Sequence, residues 1–209
     1  MWNRSEDQIK LVMIRHGATP SNKERRYLGR TDEGLSKAGE QALQEARNVY
    51  PYIDHLFSSP MRRCTQTARL LYPKQEIFEV PEWVEIDFGD FEGKNHVELK
   101  EDEYYQRWID SNGTLPFPNG ESREDFIERC KQGFYKMLLQ LESQNQMNSA
   151  MTVGVVIHGG TIMSLLSTFC GGEYFDYQVA NGQGYICTLK KVQGHPQMAE
   201  VQKIGQDRL

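Results

Sequence analysis

With 209 residues, of which 38% are hydrophobic and 25% charged, the chain is long enough to bury a core without metal or disulfide staples. Its formal net charge of −5 gives no general attraction for polyanions, so no nucleic-acid partner is expected and any phosphate binding must come from a local gathering of cations. Cys64, Cys130, Cys170 and Cys187 lie far apart with no C-x-x-C pair, which suggests neither a zinc site nor a disulfide framework and fits a reducing, cytoplasmic compartment.

The opening "MWNRSEDQIK" has no apolar core of signal-peptide length, and no stretch approaches the roughly 18 apolar residues of a membrane span, so no membrane association is expected. "QIKLVMI" (8–14) is short, aliphatic and followed by a Gly-containing segment, the pattern of a buried strand. Ser36 is expected to cap a helix over "KAGEQALQEARNVY". Ser59 and Pro60 read as the N-cap and first residue of a helix over "PMRRCTQTARLL". The stretch from Lys94 to Glu121 is polar and punctuated by "NGTLPFPNGE", and is expected to be an irregular lid or substrate-facing insertion at about 94–121. Within it, Tyr104, Tyr105 and Trp108 have helical spacing and read as lid packing more readily than as a stacking platform.

A long helix is expected after Ser122, with Asp125 in an approximate capping box and a stripe of Phe126, Cys130, Phe134, Met137 and Leu141 facing the core. "TVGVVIHGG" (152–160) repeats the strand-then-His-Gly pattern of the first strand, and "TIMSLLSTFC" reads as a helix stopped by Gly171 and Gly172. "GYICTLKKV" and "MAEVQKI", parted by a segment with Gly194 and Pro196, form an expected antiparallel hairpin. Together these elements predict one α/β domain over 1–209, a three-layer sandwich with a mostly parallel central sheet, helices on both faces and an antiparallel edge. In such sheets ligands bind beyond the carboxyl ends of the strands, where His16 and His158 would both be delivered.

Four separated segments carry the chemistry: "RHGATPSN", "SSPMRRCTQTA", "WVEIDFGDFEG" and "VVIHGGT". Arg63 falls in the first turn of its helix, where its guanidinium can lean back towards the free N–H groups. Glu85 sits among aromatic and aliphatic residues that favour a protonated carboxyl. Gly159 and Gly160 remove side chains where an anion would approach the backbone. His55, His96 and His195 stand alone and are read as structural or surface residues. Arg25, Arg26 and Arg30 read first as a solvated face, with a second anion site as the alternative.

In this order the segments resemble the histidine phosphatase superfamily, also called phosphoglycerate-mutase-like, from about Gln8 to about Lys191. "RHGATPSN" is similar to its R-H-G-x-T-x-x-N, "GRTDEGLSKAGEQA" to its G-x-x-D-x-P-L-T-x-x-G-x-x-Q-A with Gly34 for proline, and "SSPMRRCTQTA" to its S-S-x-L-x-R-A-x-Q-T-A with Cys64 for alanine. "EIDFGDFEG" is similar to E-x-x-F-G-x-W-E-G with Phe91 for tryptophan. The resemblance implies His16 as nucleophile, Arg15, Arg63 and His158 as the phosphate pocket, Glu85 as proton donor and Asn22 as a further polar contact, with no metal or other cofactor. It implies a phosphomonoesterase acting on a small phosphate monoester; the region from Glu85 to Ser122 looks most like α-ribazole phosphatases or broad phosphatases of sugar and glycerate phosphates. A mutase is the alternative, and a phospho-ligand binding protein without turnover ranks behind both. His158, if protonated, would add a third cation, and the arginines would favour a neutral His16 while opposing a protonated Glu85. The oligomeric state is left open.

Overall fold

A computed structural model describes residues 8–143 and 151–205. Among these the chain runs β1 (Ile9–Arg15), α1 (Pro20–Lys23), α2 (Lys37–Glu45), β2 (His55–Ser58), α3 (Arg62–Leu71), β3 (Ile77–Glu79), α4 (His96–Leu99), α5 (Glu103–Asp110), α6 (Arg123–Ser143), β4 (Thr152–Ile157), α7 (Gly159–Phe169), β5 (Gly184–Val192) and β6 (His195–Ile204). The opening segment 1–7, read above as lacking a leader, lies outside the described residues.

The sheet order is β3-β2-β4-β1-β5-β6, with β1 to β4 mutually parallel and β5 and β6 antiparallel at one edge. Alternation along β1 explains its apolar run from Leu11 to Ile14, which follows the exposed Lys10. Ile9, Leu11 and Met13 enter a core shared with α6 and α7, whereas Val12 and Ile14 enter a second core shared with α2 and α3. The part of a strand that is covered on both faces has no side left for polar residues. The expected α/β sandwich is therefore present, with helices on both faces of a mostly parallel sheet.

The stripe expected on α6 is buried in full: Phe126, Cys130, Phe134, Met137 and Leu141 are each at most 1% exposed, and burying an aromatic or Met side chain contributes about 1.5–3 kcal/mol apiece. Gly133 on the same helix lets the indole of Trp83 lie against the backbone; a Cβ there would be 2.7 Å from Trp83 Nε1, which donates to the Cys130 carbonyl at 3.2 Å. Gly133→Ala would gain about 1 kcal/mol in helix propensity but overpack a fully buried ring at a cost of about 1–3 kcal/mol. We expect a net loss of up to about 2 kcal/mol, measured by urea unfolding; a stabilised variant would show that Trp83 can give way.

Several boundaries differ from the sequence reading, each for an identifiable reason. α2 keeps its Ser36 cap, whose Oγ accepts from Gly39 N–H at 3.0 Å, but stops at Glu45 and tightens into a 3₁₀ turn at Arg47–Val49. Pro51 holds the preceding Tyr50 extended (φ −85°, ψ 136°), so the helix cannot run through it. α3 starts at Arg62 with Met61 as cap; Ser59 is turned elsewhere, and the Arg62 N–H is satisfied by Asp32 Oδ1 at 2.8 Å. β4 ends at Ile157, because Gly159 and Gly160 already belong to α7. The hairpin turn is the pair Gln193 and Gly194, both at positive φ, and Pro196 lies within edge strand β6, where a missing N–H is tolerated. Segment 94–121 is not wholly irregular, since it contains α4 and α5, the latter capped by Asp102 on Tyr105 N–H at 2.8 Å.

Candidate active site

Strand register brings the two histidines together. β1 and β4 are parallel neighbours with Arg15 opposite Ile157, so the next residue of each, His16 and His158, leaves the sheet side by side; their ring centroids are 5.2 Å apart. β2 joins them at the same edge, where Ser59 N–H donates to Val156 O at 3.0 Å.

The hydrogen bonds assign the protons on both rings. His16 Nδ1 lies 2.8 Å from the Gly17 carbonyl. A carbonyl can only accept, so Nδ1 carries the hydrogen and the lone pair of the neutral ring is on Nε2. For His158 the partners give the opposite tautomer: Arg63 Nε donates to Nδ1 at 3.3 Å, and Nε2 donates to Ser59 Oγ at 2.8 Å. Burial, followed by repulsion from Arg63, holds both imidazoles well below the usual value of 6.5. A protonated His158 is thus not what the geometry provides, because its Nδ1 is engaged as an acceptor and the cationic form would face Arg63.

Arg63 is fully buried and anchored by backbone. Its Nη1 donates to Thr31 O at 2.9 Å and its Nη2 to Gly29 O at 2.9 Å. The same loop is clamped on its other side by Glu92, whose carboxylate accepts from Gly29 N–H and Thr31 N–H at 3.0 Å. Arg15 donates to Val179 O at 2.7 Å, and its buried Nε has no partner among the described residues.

Glu85 is buried, and burial raises its pKa; the Ile86 N–H, Arg63, Arg15 and the Gly160 N–H oppose that shift without cancelling it. The sequence reading weighted the arginines too heavily here, because desolvation of the carboxylate outweighs them before any substrate is bound. Arg129 fixes the segment around Glu85 by donating to Glu82 O and Val84 O at 2.6 and 2.8 Å, while paired with Glu121 at 2.7 Å. Gly160 makes room for the carboxyl: a Cβ there would lie 2.6 Å from Glu85 Oε1 and 2.9 Å from the Phe126 ring. Gly160→Ala should displace the carboxyl and lower kcat on an alkyl phosphate about 100-fold, at a packing cost of about 1–3 kcal/mol against the Phe126 ring; an unchanged kcat would show that Glu85 need not sit there.

These shifts also predict a pH dependence of stability. His16 and His158 have depressed pKa values, so their contribution is present above about 6.5 and lost as pH falls, because the unfolded chain binds protons that the folded one refuses. Glu85, with a raised pKa, acts in the opposite sense above 4.5 and offsets one histidine. Below pH 6.5 stability should therefore fall with pH, by up to about 1.4 kcal/mol per pH unit for each histidine proton refused, with Glu85 opposing the fall wherever it keeps its proton in the folded state. Urea unfolding at three pH values checks this, and a His158→Asn variant with an equally steep loss would contradict it.

A cavity of about 300 Å³ opens beside the cluster, and its wall includes Arg15, Glu85 and Gly159. His16, Arg63 and His158 are buried next to them. Asn22 is not on this wall. Its Oδ1 accepts from Thr19 N–H at 3.2 Å, in the capping box of α1, and from Asn181 Nδ2 at 3.0 Å. Arg26 is held by Glu24 and Glu98, Arg30 lies 3.8 Å from Glu121, and neither they nor Arg25 line the cavity, so the triplet forms no second anion site there. His55, His96 and His195 stand apart from the cluster, the last two exposed. Among the described residues no three His, Cys, Asp or Glu side chains are gathered as a metal ion requires, and no helix is long and apolar enough to cross a membrane. Sequence reasoning missed the roles of Ser59, Glu92, Asn181 and Arg123. Ser59 was legible only as a helix cap, and Arg123 carried no signal beyond its place after the Ser122 cap.

Residues 11–204 match the family model of the histidine phosphatase superfamily, branch 1. The chain belongs to that superfamily. It is 30% identical over 170 residues to the uncharacterized phosphatase PhoE of Bacillus subtilis (strain 168), covering 78% of each chain. Longer mycobacterial relatives also match, and the chain spans 43% of their length. Among solved structures, phosphoserine phosphatase from Entamoeba histolytica, determined with phosphoserine and with 3-phosphoglyceric acid, superposes with a TM-score of 0.73 at 28% identity, covering 92% of this chain and 96% of that one. The α-ribazole phosphatase of Shigella flexneri has a TM-score of 0.71 at 24% identity, covering 91% and 94%, a likeness of fold. The relatives include named phosphatases and, at 28% identity over 168 residues, phosphoglycerate mutase-like protein 4 of Arabidopsis thaliana.

Proposed function

We propose that this histidine phosphatase superfamily member is a metal-independent phosphomonoesterase working through a phosphohistidine on His16, with a small phosphorylated metabolite as substrate. The observation that carries this is an imidazole whose Nδ1 is committed to the Gly17 carbonyl at 2.8 Å, which leaves Nε2 for attack, while burial and the neighbouring guanidiniums disfavour its charged form. With both histidines neutral, the guanidiniums of Arg15 and Arg63 outnumber the single buried carboxyl of Glu85, whose proton burial favours, so the site carries a net positive charge that a phosphate dianion would offset.

In the proposed cycle His16 Nε2 forms the N–P bond as the ester P–O bond breaks, and Glu85 gives its proton to the departing alkoxide. Glu85, now a carboxylate, takes a proton from water as the water oxygen bonds to phosphorus and the N–P bond breaks, restoring both residues. Arg15 and Arg63 steady the charge on the transferring group, and His158 holds Arg63 through its Nε–H, in place of the cationic role expected from sequence. Gly159 keeps the approach open over Arg15, and Asn22 serves through the loop after His16. We read residues 1–209 as one domain whose 94–121 insertion faces the substrate, in a cytoplasmic protein with no nucleic-acid partner; its four free thiols, three of them buried, fit a reducing compartment.

The test is phosphate release from a panel of phosphorylated metabolites with EDTA present, alongside a coupled assay for interconversion of 2- and 3-phosphoglycerate. Release that survives EDTA supports the reading. Interconversion without release would replace it with a mutase, and neither activity would leave a binding protein.

A further inference from the structure

The cavity beside Arg15 and Glu85 is walled by six aromatic side chains. Tyr27, Phe88, Trp108 and Phe117 form one continuous group, with Phe88 to Phe117 at 5.0 Å, Tyr27 to Phe88 at 5.1 Å and Trp108 to Phe117 at 5.1 Å between centroids. Tyr174 and Phe175 form a second, 5.1 Å apart and edge to face. Two of the six, Trp108 and Phe117, come from the insertion. Trp108 is backed by Tyr105, stacked on it at 6.1 Å with an interplanar angle of 13°, so the indole is held from behind.

The two tyrosine hydroxyls of these walls are already paired, and Gln178 and Arg123 are the remaining polar side chains beside Arg15 and Glu85. Tyr27 OH is paired with Tyr105 OH at 3.2 Å, and Tyr174 OH donates to Gly160 O at 3.4 Å. Trp108 Nε1 is buried and has no hydrogen-bond partner among the described residues, so it presents no exposed donor to a ligand. Arg123 donates to Asn112 O at 3.1 Å, with its guanidinium over the Tyr174 and Phe175 rings at 5.4 and 5.8 Å. A sugar or polyol leaving group would bring several hydroxyls into this space, and each one lacking a partner costs affinity. A flat ring instead meets π-faces and edges on several sides.

We propose that the phosphomonoesters this enzyme prefers are those of aromatic or otherwise flat, apolar alcohols, selected by the Trp108, Phe117 and Phe175 walls. The inference rests on the phosphatase reading above. It also revises the expectation that the insertion aromatics serve packing alone: Tyr105 packs, and Trp108 presents its other side to the ligand.

The experiment compares kcat/KM for benzyl phosphate and glycerol 3-phosphate, whose alcohols have similar need of a proton on leaving, so that the ratio reports the cavity and not the chemistry. Benzyl phosphate should lead by at least about ten-fold, and Trp108→Ala and Phe175→Ala should each narrow the ratio. The second variant guards against a loss of fold in the first, because Phe175 lies at the surface, 36% exposed. Glycerol 3-phosphate turned over as well as or better than benzyl phosphate would overturn the inference and leave the phosphatase reading intact. Release from neither ester, nor from any member of the metabolite panel, would overturn the phosphatase reading. In that case calorimetric binding of benzylphosphonate against methylphosphonate judges the cavity alone: a preference of about ten-fold for the benzyl compound upholds the aromatic ligand class, and equal binding refutes it.

Discussion

His16→Ala should abolish turnover, lowering kcat/KM by roughly 10⁴-fold or more, because removing the nucleophile of a covalent mechanism takes both half-reactions with it. The variant should fold, since the ring makes a single hydrogen bond, to its neighbour Gly17, and the sheet does not depend on it. The measurement is a quench with radiolabelled substrate. Wild type should trap an alkali-stable, acid-labile phosphoenzyme, and the alanine variant none. Label that persists in His16→Ala would move the nucleophile elsewhere, and His158 is a poor replacement because both of its nitrogens are already engaged.

Glu85→Gln gives the second large effect, and its size should depend on the leaving group. An alkyl phosphate needs a proton on the departing oxygen, so loss of the general acid should cost about 10²–10⁴-fold. p-Nitrophenyl phosphate, whose phenolate leaves unaided, should lose far less in its first step. The glutamine cannot activate water, so the variant given p-nitrophenyl phosphate should release a burst of nitrophenol and accumulate phosphohistidine. For wild type on an alkyl ester, kcat/KM should fall on the acid side as His16 takes a proton, at a pH below 6.5, and on the alkaline side as Glu85 loses one, at a pH above 4.5. The alkaline limb should vanish in Glu85→Gln. Equal losses of kcat/KM on both esters, or an unchanged alkaline limb, would remove Glu85 from the acid role.

The strands that end in histidine were legible because both are buried on two faces, and an aliphatic run closed by His-Gly fits the end of a central strand better than any other place in an α/β fold. The helices were legible by stripe and cap, as on α6. β2 and β3 were not, because four and three residues are too few to show a period. Motif and burial together picked out Arg15, His16, Arg63, Glu85 and His158, which the fold brings into one cluster. Their charge states were beyond the sequence: whether a ring accepts or donates depends on Ser59 and Gly17 carbonyl geometry, and whether Glu85 is raised or lowered depends on how much water the surrounding aromatics remove. Asp32 and Glu92 stood as fixed letters of two quoted motifs, but their roles could not be read, because their work, holding the start of α3 and the Gly29–Thr31 loop, is done on backbone N–H groups 30 or more residues away.

The pairing of β1 with β4 has a consequence for how this catalyst can be altered. Adjacent strands lie about 4.8 Å apart in any sheet, and the 5.2 Å between the imidazoles follows that spacing, so their separation is a lattice constant of the scaffold. Loop replacement cannot stretch it. The walls contributed by the 94–121 excursion are under no such constraint, which makes that excursion the natural graft point for retargeting the catalyst to a different ester while its reacting groups stay in place.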